Sequence, residues 1–170
     1  QTHKTLVTET GYFRNQLDID VYDEEEMYQE LEAQIEKVLA AGIKIDHLDS
    51  HHHIHTTEKL KPVIKRLLEK YPYPIRGGFV YESDVKKSEL IMAFYNEGVS
   101  LESFENIIKG MEDDKTYDLM CHPAYIDKVL TSMTSYYMKR IEELDIICNK
   151  ECKALLEKEK VKLVSYADIQ

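Results

Sequence analysis

The sequence has no excess of basic residues, and this argues against the partners that require one. It holds 22 lysines and arginines against 32 aspartates and glutamates, which gives a formal net charge of −10 at pH 7. No block of basic residues interrupts the chain. Proteins that bind nucleic acid or anionic membranes present a basic patch to the negative charge of their partner. We therefore expect neither partner.

Long apolar runs, a secretory signal and paired cysteines are also missing. A membrane-spanning helix needs about 20 consecutive apolar residues, and no run approaches that length. No segment has the pattern of a signal peptide. The three cysteines, Cys121, Cys148 and Cys152, are an odd number at spacings typical of reduced thiols. These absences predict a cytoplasmic protein with buried structural thiols. A soft-metal pair of Cys148 and Cys152 is the alternative.

The sequence contains no internal repeat and no linker, so one domain is the default. A chain of 170 residues with 43% apolar side chains can bury a core. Helical patterns alternate with short apolar runs, which indicates an α/β fold with a largely parallel sheet. We predict a single α/β domain over residues 1–170, in which residues 1–22 form a connecting segment.

Apolar residues at helical spacing predict four helices. The first begins after Asp23, whose side chain suits an N-cap. The second is capped by Thr56 or Thr57, and the third by Ser100. The fourth runs without a break from about residue 131 to residue 157.

Short apolar runs between these helices predict strands. The predicted strands cover residues 43–45, 75–80, 117–121 and 161–164. Residues 84–99 are weakly patterned, and we assign them to helix and loop.

The stretch from His47 to His55 contains five of the seven histidines. Imidazole is the commonest protein ligand for zinc and related metals. The stretch lies between a predicted strand and a predicted helix, where α/β folds place their sites. Asp49 and Ile54 interrupt it, so it resembles neither an expression tag nor a storage tract. A metal site is therefore predicted, and a solvated loop is the alternative. In an extended conformation one face would carry His47, Asp49, His51, His53 and His55.

Two further candidates are His122, which follows a predicted strand, and Arg76, which lies within one. His122 comes after residues 117–121, and Pro123 biases its backbone toward the extended region. Because parallel strands bring their carboxyl ends to one rim, we favour a functional His122 over a satisfied loop histidine. Arg76 is either a surface charge, which the sequence favours, or a residue aimed at an oxygen-rich ligand.

Four segments together resemble the YdjC-like carbohydrate deacetylases, and among them the chito-oligosaccharide deacetylases. They are His47–His55, Met120–Ala124, Arg140–Leu144 and Leu163–Ile169. Their order and spacing match across roughly residues 10–169. The resemblance implies a deformed β/α barrel related to the polysaccharide deacetylases. It also implies one divalent metal ion, Mg²⁺ or Zn²⁺, and a small N-acetylated oligosaccharide as the substrate from which acetyl groups are hydrolysed.

The resemblance assigns His51 as a metal ligand. In that family a second histidine, an aspartate ligand and the general base belong to motifs that would precede Gln1, and His3 does not match them. We therefore expect this chain to be the C-terminal portion of a larger barrel that is incomplete at its N-terminus here.

Amide hydrolysis also needs an acid for the departing amine, and His122 is our candidate. Asp49 is expected to orient a ligand imidazole or to be structural. His53 and Arg76 are candidates for hydrogen bonds to sugar hydroxyls or to the acetyl oxygen. A homodimer is left open. The alternatives to a deacetylase are a non-catalytic metal- or sugar-binding remnant and a metal-dependent phosphoesterase on a similar barrel.

Overall fold

The structure is a computed structural model that describes residues 4–15 and 20–169. His3 lies outside the described residues. The α-helices are α1 (Glu24–Ala40), α2 (Lys61–Lys70), α3 (Leu101–Lys109), α4 (Lys128–Met133), α5 (Met138–Ile147) and α6 (Lys150–Lys158). The strands are β1 (Glu89–Ile91) and β2 (Tyr117–Leu119). Short 3₁₀ turns cover His51–Thr56, Glu58–Leu60, Asn96–Gly98 and Tyr166–Asp168.

The chain divides into two compact units. The first unit holds the described residues of Gln1–Lys87 and Tyr166–Gln170, and the second unit is Ser88–Ser165. No helix in the described part of the chain is long and apolar enough to cross a membrane.

Helices α1 and α2 pack together in the first unit. Helix α1 begins as predicted, because the Asp23 carboxylate accepts hydrogen bonds from the N–H groups of Glu25 and Glu26, both at 3.0 Å. It ends at Ala40, and Gly42, just after the C-cap residue Ala41, has a φ of +74°, the left-handed conformation that glycine adopts at little cost. The buried core between the helices includes Met27, Ile35, Leu60, Val63, Ile64, Leu67 and Leu68.

Helix α2 begins later than its predicted threonine cap. Thr57 precedes the 3₁₀ turn Glu58–Leu60 and makes no side-chain capping bond, because its hydroxyl donates back to the Ile54 carbonyl at 2.8 Å. The helix proper starts at Lys61, with Pro62 in its first turn, where proline costs no intrahelical hydrogen bond.

Isolated parallel bridges take the place of the strands predicted in the first unit. Leu48 pairs with Ile75, and Ile75 pairs with Lys87. The predicted strand over residues 75–80 is wrong beyond Ile75, because Gly78 has a φ of +91° and turns the backbone out of the extended region. The predicted strand over residues 43–45 is also unpaired in the structure, and pairing starts only at Leu48.

The second unit contains a two-stranded parallel sheet. Strand β1 pairs with β2, and Leu90 lies opposite Asp118. The prediction over residues 117–121 is confirmed for Tyr117–Leu119, whereas β1 lies in the segment assigned to helix and loop. Helix α3 begins at Ser100, whose hydroxyl accepts from the Ser103 N–H at 3.0 Å, as predicted. The buried core of this unit is Phe94, Val99, Phe104, Ile108 and Cys152.

The single long helix predicted over residues 131–157 is wrong. Thr134 has extended dihedrals (φ −145°, ψ 146°) and ends α4. Asn149 is extended as well, and its side chain accepts from the Glu151 N–H at 2.9 Å, so it caps a new helix, α6. The strand predicted over residues 161–164 is also wrong, because these residues pair with no other described segment and Leu163 is 79% exposed. The described fold is thus a mixture of helices and strands with a small parallel sheet.

Candidate functional site

The histidine stretch does not run extended past Ser50, so the predicted single face is wrong. His51–Thr56 forms 3₁₀ turns, and His52 and His53 both have φ near 55° in the left-handed region. Residues in that region no longer alternate between two faces. The turn is held by the Ser50 hydroxyl, which accepts from the backbone N–H of His55 at 3.1 Å.

His55 is a buried structural residue. Only 2% of it is exposed, its Nδ1 lies 2.6 Å from Ser50 Oγ, and its Nε2 lies 2.9 Å from the Arg76 carbonyl oxygen. A carbonyl can only accept, so Nε2 carries the proton and Nδ1 accepts from the Ser50 hydroxyl. Burial lowers the pKa of His55 and favours this neutral form. Because both ring nitrogens are engaged, His55 has no nitrogen left for a metal ion.

His51 and His52 are exposed, and their rings stack with centroids 4.1 Å apart. None of the residues described in the structure hydrogen-bonds to the His51 imidazole. His47, by contrast, has its Nδ1 2.7 Å from Asp46 Oδ1, and its ring stacks on that of Tyr166 with centroids 4.1 Å apart. Of these three histidines, His51 and His52 are therefore best placed to coordinate a metal ion.

Asp49 and Arg76 form an ion pair beside the histidine stretch. The Arg76 Nη1 lies 2.8 Å from Asp49 Oδ2, and the two side chains are 21% and 31% exposed. Asp49 Oδ1 accepts from the Ser50 N–H at 2.7 Å, and the Arg76 N–H donates to the Leu48 carbonyl at 3.1 Å. Arg76 is therefore a half-buried partner of Asp49 rather than the surface charge that the sequence favours. His53 lies nearby, edge-on to His55 at 6.4 Å between ring centroids.

The described residues do not form a complete metal site. Across residues 4–15 and 20–169, no group of three or more His, Cys, Asp or Glu side chains is placed to hold a metal ion. None of the three cysteines forms a disulfide among the described residues. Cys152 is buried, and burial raises the pKa of its thiol, whereas Cys148 is exposed. The prediction of buried thiols is thus confirmed for Cys152 and wrong for Cys148.

His122 lies in the second unit, three residues after the end of β2. Its backbone N–H donates to the Glu143 carboxylate, and its side chain is 37% exposed. The rings of Tyr95 and Tyr136 stand edge-on to the imidazole, each at 5.6 Å between centroids. His122 is therefore held in a defined place while part of its side chain stays accessible.

Glu143 is a site residue to which the sequence pattern assigns no role. It is fully buried on α5, and its carboxylate accepts hydrogen bonds from the Tyr136 hydroxyl as well as from His122. Burial, and next the hydrogen bond to Glu143, raise the pKa of Tyr136. A glutamate beside the exposed Glu142 gives no signal of burial by itself. Its place in the Arg140–Leu144 segment of the resemblance is the only clue.

Arg140 fastens the loop that carries His122 to α5. Its Nη1 donates to the His122 carbonyl at 3.2 Å, and its Nε donates to the Tyr136 carbonyl at 2.7 Å. The Arg140 carbonyl accepts from the Ala124 N–H at 3.3 Å. The loop after β2 is thus held on both sides of Pro123.

Several curated proteins are similar to this chain over most of its length. A carbohydrate deacetylase of Halalkalibacterium halodurans is 44% identical over 128 residues, which are 73% of this chain and 54% of that protein. One of Brevibacillus brevis is 32% identical over 85% of this chain and 62% of that protein. Carbohydrate deacetylase 1 of Listeria innocua is 36% identical over 98% of this chain and 71% of that protein. The chain thus spans only 54% and 62% of the length of the first two.

A solved structure is similar as well. It is a crystal structure from Enterococcus faecalis V583, named as that of a candidate cellobiose-phosphate cleavage protein. The two chains are 30% identical with a TM-score of 0.87, and the match covers 97% of this chain and 69% of that one. The family described as YdjC-like protein matches residues 1–158. The chain therefore belongs to the YdjC-like protein family.

Proposed function

We propose that the protein to which this chain belongs is a metal-dependent hydrolase that removes acetyl groups from N-acetylated sugars such as chito-oligosaccharides. The observation that carries this proposal is the similarity of most of the chain to proteins named carbohydrate deacetylase. We propose a deformed β/α barrel as the complete fold; the parallel pairing of the described strands and bridges supports this. The proposed partner is a small oligosaccharide, and we propose neither a nucleic acid nor a membrane as a partner. We place the protein in the cytoplasm, and a homodimer is compatible with this proposal.

Hydrolysis of an N-acetyl group requires two things from the site. Water must add to the acetyl carbonyl carbon, and the sugar nitrogen must gain a proton as the C–N bond breaks. An amine anion is a very poor leaving group, so the proton must come from an acid near the nitrogen. A positioned acid of this kind contributes typically about 10²–10⁴-fold to the rate.

We assign that acid to His122. An imidazolium titrates near neutral pH, so it can give up a proton and regain it at the working pH of the enzyme. The partly exposed ring and the contacts that hold it support the assignment. The proton moves from His122 to the sugar nitrogen, the C–N electron pair goes to that nitrogen, and neutral imidazole and a free amine result.

His51 is our proposed metal ligand from this chain. The support is its exposed ring, to which no described residue hydrogen-bonds. Since no three-ligand group exists among residues 4–15 and 20–169, the rest of the set and the general base would come from outside the described part. A bound Mg²⁺ or Zn²⁺ would polarise the acetyl carbonyl and lower the pKa of a bound water.

Asp49, His53 and Arg76 are proposed to serve the substrate and the ligand. Asp49 bonds the Ser50 N–H and the Arg76 side chain, so it fixes the residue just before His51 and the direction of the guanidinium. A guanidinium held in this way can donate to sugar hydroxyls or to the acetyl oxygen. His53 can donate or accept at the same substrate groups.

A second candidate function is phosphoester cleavage. The observation that favours it is the name of the similar Enterococcus faecalis protein, a candidate cellobiose-phosphate cleavage protein. A metal-dependent phosphoesterase would use two bridged metal ions and would not need to protonate an amine. A remnant that binds metal or sugar without turnover is the third possibility.

One assay separates the three. The full-length protein is incubated with N-acetylglucosamine oligomers and, in parallel, with a phosphorylated disaccharide, each with and without a chelator. Our proposal predicts acetate release that the chelator abolishes and added Mg²⁺ or Zn²⁺ restores. Phosphate release without acetate release would replace the proposal with the phosphoesterase. Sugar binding without either product would establish the remnant.

A further inference from the structure

Glu143 is a buried charged side chain that the mechanism above does not use. Its residue is 0% exposed, although burial of a carboxylate is costly unless it is paired and hydrogen-bonded. Both of its oxygens are satisfied, one by the Tyr136 hydroxyl and one by the His122 N–H. Its Oε1 also lies 4.0 Å from His122 Nδ1. The buried charge of Glu143 therefore lies beside the His122 imidazole.

Four groups surround that imidazole. Tyr95 and Tyr136 give their rings, which also stack on each other with centroids 4.5 Å apart. Arg140 donates to the His122 carbonyl, so its charge is directed at the backbone. Glu143 gives the negative charge nearest to Nδ1 among these groups.

We propose that Glu143 is the positioning residue of His122, because it anchors the His122 backbone and holds the imidazole in the form that is protonated at Nδ1. With a proton kept at Nδ1, Nε2 is the nitrogen that delivers its proton to the leaving sugar nitrogen. The carboxylate then faces an Nδ1–H on a neutral ring, and the ring is reprotonated at Nε2 from water. This inference rests on the proposed acid role of His122.

The size of the effect follows from the distance. A separation of 4.0 Å is too long for a hydrogen bond, so Glu143 acts on the ring through its charge. An opposite charge within about 4–6 Å shifts a pKa by about 1–3. Since 37% of the His122 side chain is exposed, solvent screens part of this, and we expect a shift near the lower end.

The test is an NMR titration of the histidine Cε1–H signals in the full-length protein, with His122→Asn to assign the resonance. We expect a His122 pKa above the ordinary value of about 6.5. Glu143→Gln should lower it by about 1. The matched control is Glu142→Gln, which removes the same charge from the neighbouring residue on α5, where the side chain is 46% exposed and pairs with Lys139. It should leave the His122 pKa unchanged.

Two results would overturn the proposal. One is a His122 pKa at or below about 6.5 in the unaltered protein, which decides the matter even if Glu143→Gln does not fold. The other is a folded Glu143→Gln protein in which the His122 pKa does not move. A general loss of structure would instead change the pKa values of several histidines. Glu142→Gln measures the change in pKa that loss of a nearby surface charge causes.

Kinetics separate this proposal from the acid role on which it rests. The alkaline limb of the kcat profile for an N-acetyl sugar should move to lower pH in Glu143→Gln by the amount of the NMR shift. If the NMR shift appears but His122→Ala shows no dependence on the leaving group, Glu143 still positions His122 and only the acid role is overturned. If His122 acts as the acid but its pKa ignores Glu143, the positioning role is overturned.

Discussion

Replacing His55 with alanine removes the side chain that closes the turn of the histidine stretch. Two hydrogen bonds disappear, to the Ser50 hydroxyl at 2.6 Å and to the Arg76 carbonyl at 2.9 Å. Each buried group left unsatisfied costs about 1–3 kcal/mol. The vacated ring volume adds to this, although water can enter and restore part of the hydrogen bonding. We expect a loss of about 3 kcal/mol in the free energy of unfolding.

Urea denaturation followed by circular dichroism measures this loss. With an m value of about 2 kcal/mol per molar urea, the midpoint should fall by about 1.5 M. The control is His51→Ala, which removes an exposed imidazole from the same turn and should change stability by no more than about 0.5 kcal/mol. A His55→Ala midpoint within the error of that control would refute the assignment of His55 as a structural residue.

Three further predictions concern the same stretch. Burial lowers the pKa of His55 in the folded protein, so the unfolded protein takes up a proton at a higher pH than the folded protein does. The free energy of unfolding should therefore fall as the pH drops below the unfolded value of about 6.5, and His55→Ala should make this fall shallower, as urea midpoints between pH 5 and pH 7.5 would show. In the full-length protein, elemental analysis should show that His51→Ala loses the bound metal. If His51→Ala keeps the metal and His52→Ala loses it, His52 is the ligand. His52→Gly should gain up to about 1 kcal/mol in thermal unfolding, because φ is 55° at that position and glycine adopts it readily; a loss of stability would show that the imidazole contributes more than the backbone costs.

The parts of the fold that the sequence predicts depend on neighbours along the chain. Asp23 and Ser100 begin their helices because a short polar side chain reaches an N–H two or three residues on. Pro62 falls in a first turn for an equally local reason. The break of the predicted long helix at Thr134 and Asn149 has a local cause too, but apolar spacing continued through both positions and concealed it.

The parts that the sequence does not predict depend on distant contacts. The turn of the histidine stretch is stabilised by the hydrogen bond that His55 Nε2–H donates to the Arg76 carbonyl, 21 residues further along the chain. Strand β1 has only three residues and is defined by its pairing with β2. Glu143 is buried where it accepts hydrogen bonds from Tyr136 and His122, and the spacing of apolar residues does not predict this burial. Composition singled out the histidine stretch as a candidate site and left its geometry undetermined.

The role of His122 as the acid is tested by comparing two substrates in the full-length His122→Ala protein. One is an N-acetylglucosamine oligomer, whose amine must be protonated to leave, and the other is an activated acetyl ester, whose leaving group needs no proton. We predict unchanged metal content, a fall in oligomer turnover of about 10²–10⁴-fold and a much smaller fall with the ester. Loss of metal would make His122 a ligand, and equal damage to both substrates would contradict its role as the acid.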